Sequence, residues 1–182
     1  MVAGADCIDD MDLLRHGGIG RLFTGIRAPS TLGTFLRAFT FGHVRQIDAV
    51  AAAFLVDVTR HAPVLRDAAA VTFLDVDDTV KATYGYAKQG AGYGYSGVKG
   101  LNALIATLST PTSAPVMAAA KLRKGSANSA RGAARLVADA ARTAIRAGAC
   151  GLLLVRADSG YFRHDVVAAA HRSGAKVSIT AR

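Results

Sequence analysis

The stretch Ala70-Val71-Thr72-Phe73-Leu74-Asp75-Val76-Asp77 is β-branched and apolar along its length and ends in acid. That pattern predicts a buried strand with carboxylates at its exit. Strand side chains alternate between faces, so Asp75 and Asp77 share one face and Asp78 points away if the strand persists that far. A second strand ends the same way, because the apolar run Gly151–Ala157 is succeeded at once by Asp158. Acids at strand ends in an open sheet lie where such sheets place ligands, and neighbouring strands would bring them together. A lone Asp at a strand end is ordinarily a turn residue, so only the convergence of two carries weight.

Outward from these strands the chain falls into two parts: a helical region over residues 1–66 and a core over residues 67–182, divided near Pro63. Ala28-Pro29-Ser30-Thr31 reads as a helix start with Ser30 or Thr31 as cap, and Leu32, Phe35, Leu36 and Phe39 fall on one face. Gly42 reads as a break. A second helix from about His43 to Arg60 repeats the apolar spacing through Val44, Ile47, Val50, Ala51, Phe54 and Leu55. Such a pair is a DNA-reading helix-turn-helix or ordinary helical packing, the latter being commoner.

Beyond Asp78 comes a Gly/Tyr-rich, non-helical stretch. Tyr84, Tyr86, Tyr93 and Tyr95 could stack on exposed bases or pack a hairpin against the sheet; packing is expected for some of them. Leu101–Leu108 and Pro115–Leu122 read as strands joined by the turn Thr110-Pro111-Thr112-Ser113. Ser126 is expected to cap a long helix to Ala147, closed by Gly148. Gly151–Ala157 is the next strand, Arg163–Arg172 a helix, and Lys176–Thr180 the last strand. The order predicts an α/β fold: three antiparallel strands, then parallel strand-helix-strand crossovers, in a mixed sheet with helices on its faces.

The 22 basic residues outnumber 13 acidic ones, for a formal net charge of +9. More telling is their distribution. No acid lies between Asp78 and Asp139, whereas Lys81, Lys88, Lys99, Lys121, Arg123, Lys124, Arg131 and Arg135 all do. A single-sign stretch favours a polyanion and makes binding fall with salt. Lys121, Arg123 and Lys124, placed just before the expected helix start at Ser126, form the best phosphate site, with Lys88, Lys99 and Arg131 as further contacts. The longest apolar run, Ala49–Val56, is far short of the roughly 18 residues that cross a bilayer. The acidic first residues offer no secretory segment, and Cys7 and Cys150 no disulfide framework. A reduced, cytoplasmic protein is expected.

Carboxylate oxygens are hard ligands suited to Mg²⁺ or Mn²⁺. Two such ions can activate a hydroxyl and stabilise the leaving oxygen of a phosphodiester. Five segments, taken in order, resemble those of the DDE transposases of bacterial insertion sequences. They are residues 27–37, Asp75-Val76-Asp77-Asp78-Thr79, residues 85–95, residues 122–128 and Arg156-Ala157-Asp158-Ser159-Gly160-Tyr161. The resemblance runs from about Asp10 to the end. It implies a ribonuclease-H-like core and metal-dependent DNA cleavage and strand transfer. It implies double-stranded DNA (transposon inverted repeats and target) as partner, a two-ion Mg²⁺ or Mn²⁺ site, and allows for a homodimer. An Asp with Thr two residues later maps to Asp77 and Thr79, and an Asp-x-Gly-Tyr motif to Asp158, Gly160 and Tyr161. Asp77 and Asp158 are therefore the expected catalytic metal ligands, with Asp75 in reserve.

In that family a third acid, a Glu, comes after the last core strand. This sequence ends at Arg182 and contains no Glu, all 13 acids being Asp. With two of three ligands, the chain is expected to bind metal and cut DNA poorly on its own, whether as a relic or with the rest supplied by a separate product. Two other readings compete. Asp75-Val76-Asp77-Asp78-Thr79 also resembles the first motif of haloacid-dehalogenase-type phosphatases, with Asp75 as nucleophile and Asp77 as acid/base. A non-catalytic DNA-binding remnant is the third.

The basic stretch predicts salt-sensitive binding to duplex DNA. Replacing Lys121, Arg123 and Lys124 by Ala should weaken binding similarly across sequences and shrink its salt dependence; an unchanged slope in a filter-binding titration would contradict this.

Overall fold

The structure is a computed structural model that describes residues 7–16, 20–22, 24–84 and 88–181. The chain divides into two compact units, residues 1–47 and 48–182. The first holds α1 (Met11–Arg15), α2 (Pro29–Arg37) and the start of α3 (Phe41–His61). α2 is capped at Ala28 with Pro29 in its first turn, not at Ser30 or Thr31. Proline supplies a helical φ and lacks only an N–H that would be orphaned there. Gly42 lies inside the first turn of α3. The break falls before it, at Ala38–Thr40, where the Thr40 backbone N–H donates to His43 Nδ1 at 3.0 Å.

The second unit is built on a six-stranded sheet: β1 (Val71–Ala82), β2 (Gly92–Tyr93), β3 (Lys99–Thr110), β4 (Ser113–Lys124), β5 (Leu152–Ala157) and β6 (Lys176–Ile179). β1 is the central strand. It pairs antiparallel with β3, which pairs antiparallel with β4, and it pairs parallel with β5, which pairs parallel with β6. Leaving aside the short β2, the order across the sheet is β4-β3-β1-β5-β6. This is the mixed sheet expected from the sequence: an antiparallel meander, then parallel crossovers through α4 (Ala133–Arg146) and α5 (His164–Arg172).

Alternation sorts the sheet's residues. Thr72, Leu74 and Val76 of β1, Leu104, Ala106 and Leu108 of β3, and Leu153 and Val155 of β5 are buried. α4 meets them with Ala133, Leu136, Val137, Ala140, Ala141 and Ala144, one helical face at i, i+3, i+4 spacing. α5 adds Val166, Ala169 and Ala170. Small Ala side chains let both helices approach the sheet closely. The opposite face, which carries Asp75, Asp77 and Thr79, stays half-buried to exposed.

α4 does not begin at Ser126. Its cap is Gly132, in the left-handed region at φ 79°, and residues 125–132 form a loop. The helix closes as expected, with Gly148 at φ 108° and the Ala149 amide returning to the Ala144 carbonyl. β2 pairs with the start of β3, where the backbone is closely approached from β1 and from the end of β4. A Cβ on Gly100 would sit 2.3 Å from the Lys81 carbonyl oxygen, and one on Gly125 2.1 Å from the Gly100 carbonyl oxygen, so neither position accepts a side chain.

Candidate active site

β1 and β5 run side by side, and their pairing ends at Val76 opposite Ala157. The next residue on each strand is an acid: Asp77, which continues along β1, and Asp158, which opens a 3₁₀ turn over Ser159–Tyr161. Both are exposed. Each uses one carboxylate oxygen locally. Asp77 Oδ1 accepts from the Asp78 amide at 2.7 Å, and Asp158 Oδ1 from the Gly160 amide at 2.8 Å. A shallow cleft of about 240 Å³ on the same side is lined by Asp75, Asp77, Asp78, Thr79, Ile105 and Thr107.

Asp75 shares Asp77's face but is already engaged. The Arg156 guanidinium donates to both its oxygens, at 2.6 and 2.7 Å, from the position directly opposite on β5. The same guanidinium lies 4.1 Å from the centre of the Phe73 ring. The hydrogen bond to Asp75 raises the Arg156 pKa further above its ordinary value. A nucleophile with both oxygens held by arginine is ill suited to attack, which removes the phosphatase reading's first residue.

Asp78 points the other way, into the protein, where its side chain is only 4% exposed. It accepts the Tyr161 hydroxyl at 2.6 Å and the Asn102 amide, and lies 3.3 Å from Arg123 Nη2. Burial pushes its carboxyl up, but hydrogen bonds from Tyr161, Asn102 and Ser129 and the Arg123 charge outweigh that and hold it below its ordinary value. Burial and the Asp78 hydrogen bond push the Tyr161 hydroxyl well above its usual range. Arg123 in turn donates to the carbonyls of Asn128, Ser129 and Arg131 at 3.2, 2.8 and 2.6 Å. One buried ion pair thus ties together β1, β3, β4, the 125–132 loop and the turn after Asp158.

Arg123, expected at a phosphate, is instead an interior residue: its side chain is 5% exposed and its donors are spent inside. The register explains this, since Arg123 pairs with Asn102 and Lys121 with Leu104, both on the helix-covered side. Lys121 keeps its amine at the surface near Gly132, and Lys88, Lys124 and Arg131 are exposed, with Lys99 half-buried. α4 is capped at Gly132 and not at Ser126, and the Lys121 amine lies beside that cap. The unit formed by Asp78, Asn102, Arg123 and Tyr161 escapes the reading of the sequence. Its one signal there is Asp78 itself, whose alternation places a carboxylate on a covered face, where it needs a cationic partner.

The transposase DDE domain group 1 family matches residues 1–181, and the chain belongs to that family. No curated protein matches the sequence. A solved structure described as the Mos1 transposase paired-end complex with left transposon end shares 11% identity at a TM-score of 0.35. That alignment covers 92% of this chain and 55% of the other, so this chain spans about half the length of that one. The family works with divalent metal ions. The donor chemistry here fits one, since Asp77, inside β1 (which continues to Ala82 and does not end in acid as the sequence suggested), and Asp158, just past β5, offer hard oxygens on neighbouring strands. Among the described residues no group of three or more His, Cys, Asp or Glu side chains is gathered for a metal. Nor, among them, is any helix long and apolar enough to cross a membrane.

The buried ion pair makes a pH prediction. Asp78's carboxyl is held below its unfolded value, so it contributes stability that is present above that value, near 3.9, and lost as pH falls through the folded value. Thermal melts of the wild-type protein should therefore drop below about pH 4. Asp78→Asn should be less stable at neutral pH and show a shallower acid limb. Equal acid sensitivity in both would contradict this role.

Proposed function

We propose that this chain is the DNA-cleaving and strand-transferring core of an insertion-sequence transposase. Asp77 and Asp158 hold a divalent ion, Mg²⁺ or Mn²⁺, at the scissile phosphate. The observation that carries this reading is that each acid directly follows the last pair of the parallel β1–β5 ladder, Val76 opposite Ala157. An ion bound there would polarise the phosphodiester and lower the pKa of an attacking hydroxyl. Asp75 is reserved to Arg156, which favours Asp77 over Asp75 as first ligand.

The partner is double-stranded DNA at transposon ends and target. Lys88, Lys99, Lys121, Lys124 and Arg131 supply phosphate contacts, and the buried Arg123 does not. The helical region over residues 1–66 serves the core over residues 67–182, as a DNA-binding or packing element, in a cytoplasmic protein that acts as a homodimer. The third acid of the family pattern is a Glu, and every acid here is Asp. A site holding two carboxylates leaves more of the ion's charge uncompensated and more of its coordination to water, which loosens the in-line geometry of phosphoryl transfer.

The test is nicking of a labelled duplex bearing terminal inverted repeats, with Mg²⁺ or Mn²⁺. It compares the chain alone with a version extended by a Glu-bearing helix. Cleavage is expected from the extended form, and Asp77→Asn or Asp158→Asn should each reduce it by about 10²-fold or more. Asp165→Asn, paired with Arg163 on α5, should leave it unchanged. Cleavage that survives Asp77→Asn but is lost in Asp75→Asn would overturn the ligand assignment.

A further inference from the structure

The described rings of the Gly/Tyr-rich segment stand open to solvent. Tyr84, Tyr93 and Tyr95 are 85%, 68% and 83% exposed, and Tyr86 lies outside the described residues. Large exposed aromatic rings gain nothing for folding. Here they stand on backbone held in place by glycine: a Cβ on Gly94 would sit 2.6 Å from the Gly125 carbonyl oxygen, and one on Gly125 2.3 Å from that of Gly92. Such contact leaves β2 little room to shift, so its rings are presented at low ordering cost.

Register places them. Tyr93 pairs with Lys99 across β2–β3, Lys81 with Leu101 across β1–β3, and Lys124 with the same Leu101 across β3–β4. Directly paired residues project to one face, and positions two apart along a strand share it. Tyr93, Lys99, Lys81 and Lys124 therefore stand on the face that carries Asp77, four residues back along β1 from Lys81. At about 3.3 Å per strand residue, that is roughly 13 Å, the length of a few nucleotides. The sequence between Asp78 and Asp139 carries no acid.

We propose that this part of the sheet face is a stacking platform for unpaired DNA at the cleaved end. Tyr93, with Tyr95 beside it, receives bases, and Lys81, Lys99 and Lys124 track the backbone leading to Asp77. Aromatic faces accept any base, and lysines follow phosphates without reading sequence, so the platform recognises strand separation and not a motif. A wholly paired duplex presents its phosphates to the lysines but keeps its bases from the rings. The platform presupposes the transposase reading.

The experiment measures binding of the protein to two end-labelled DNAs of one sequence, one fully paired and one with several unpaired nucleotides at its end. 2-Aminopurine in the unpaired segment reports stacking by quenching. Wild type should prefer the unpaired end and quench the probe. Tyr93→Ala/Tyr95→Ala should lose that preference by about fivefold or more, the low end of base–aromatic stacking. Tyr93→Phe/Tyr95→Phe should retain both preference and quenching. Lys81→Ala/Lys99→Ala/Lys124→Ala should weaken binding to both DNAs and reduce the salt dependence. Equal affinity of wild type for the two DNAs, or quenching that survives the Ala pair, overturns the platform while leaving the transposase reading intact. Failure of wild type to bind either DNA overturns both.

Discussion

The carboxylate of Asp78 and the guanidinium of Arg123 meet inside the protein, each almost wholly shielded from water. Two buried charges are costly to desolvate, and such a pair often adds little net stability over a well-packed apolar replacement. Its weight lies in the penalty for losing one partner, which strands a single buried charge at a cost of about 3–5 kcal/mol. The pair therefore dictates geometry. Asp78 takes the hydroxyl of Tyr161, three residues after Asp158, and Arg123 takes three carbonyls of the loop that feeds α4. Asp78 is also the immediate neighbour of Asp77. The strand bearing one candidate ligand and the turn bearing the other are thus joined through one hidden contact.

That arrangement gives adjacent carboxylates in one sequence motif separate tasks. Asp75 holds Arg156 against Phe73 on the open face, Asp77 stands exposed at the end of the β5 pairing, and Asp78 anchors the interior. Period-two alternation along one strand suffices to divide them. Gly160 completes the arrangement from the other side. A Cβ there would meet Asp158 Oδ1 at 3.1 Å and Ser129 Cβ at 3.5 Å, so the turn and the 125–132 loop lie close together at this point.

The parts of the fold legible in the sequence are those that local pattern determines. β1, the β3–β4 hairpin turn and the β5–α5–β6 run arise from apolar strings punctuated by Gly, Pro and Ser. The start of α4 shows where local pattern gives out. Ser126 looks like a cap, but Arg123, reaching across from β4, binds the carbonyls of residues 128, 129 and 131 and keeps that segment out of the helix. The same long-range contact explains why Arg123 is absent from the surface. Tyr84, Tyr93 and Tyr95 stay exposed, while the backbone beside β2 is drawn close at Gly94 and Gly125. The sequence sets Asp77 and Asp158 at strand ends; the register shows the strands to be neighbours, but β1 runs on past Asp77 to Ala82 because β3 keeps pairing with it.

The central claim is that Asp77 and Asp158 together hold a divalent ion. The most direct measurement is a Mn²⁺ titration of isotopically labelled protein, monitored through paramagnetic broadening of backbone amide resonances. Broadening centred on residues 77–79 and 157–161 is expected, shifted to higher Mn²⁺ concentration by Asp77→Asn and by Asp158→Asn. Broadening centred instead on Asp139 of α4, or left unchanged by both substitutions, would contradict it.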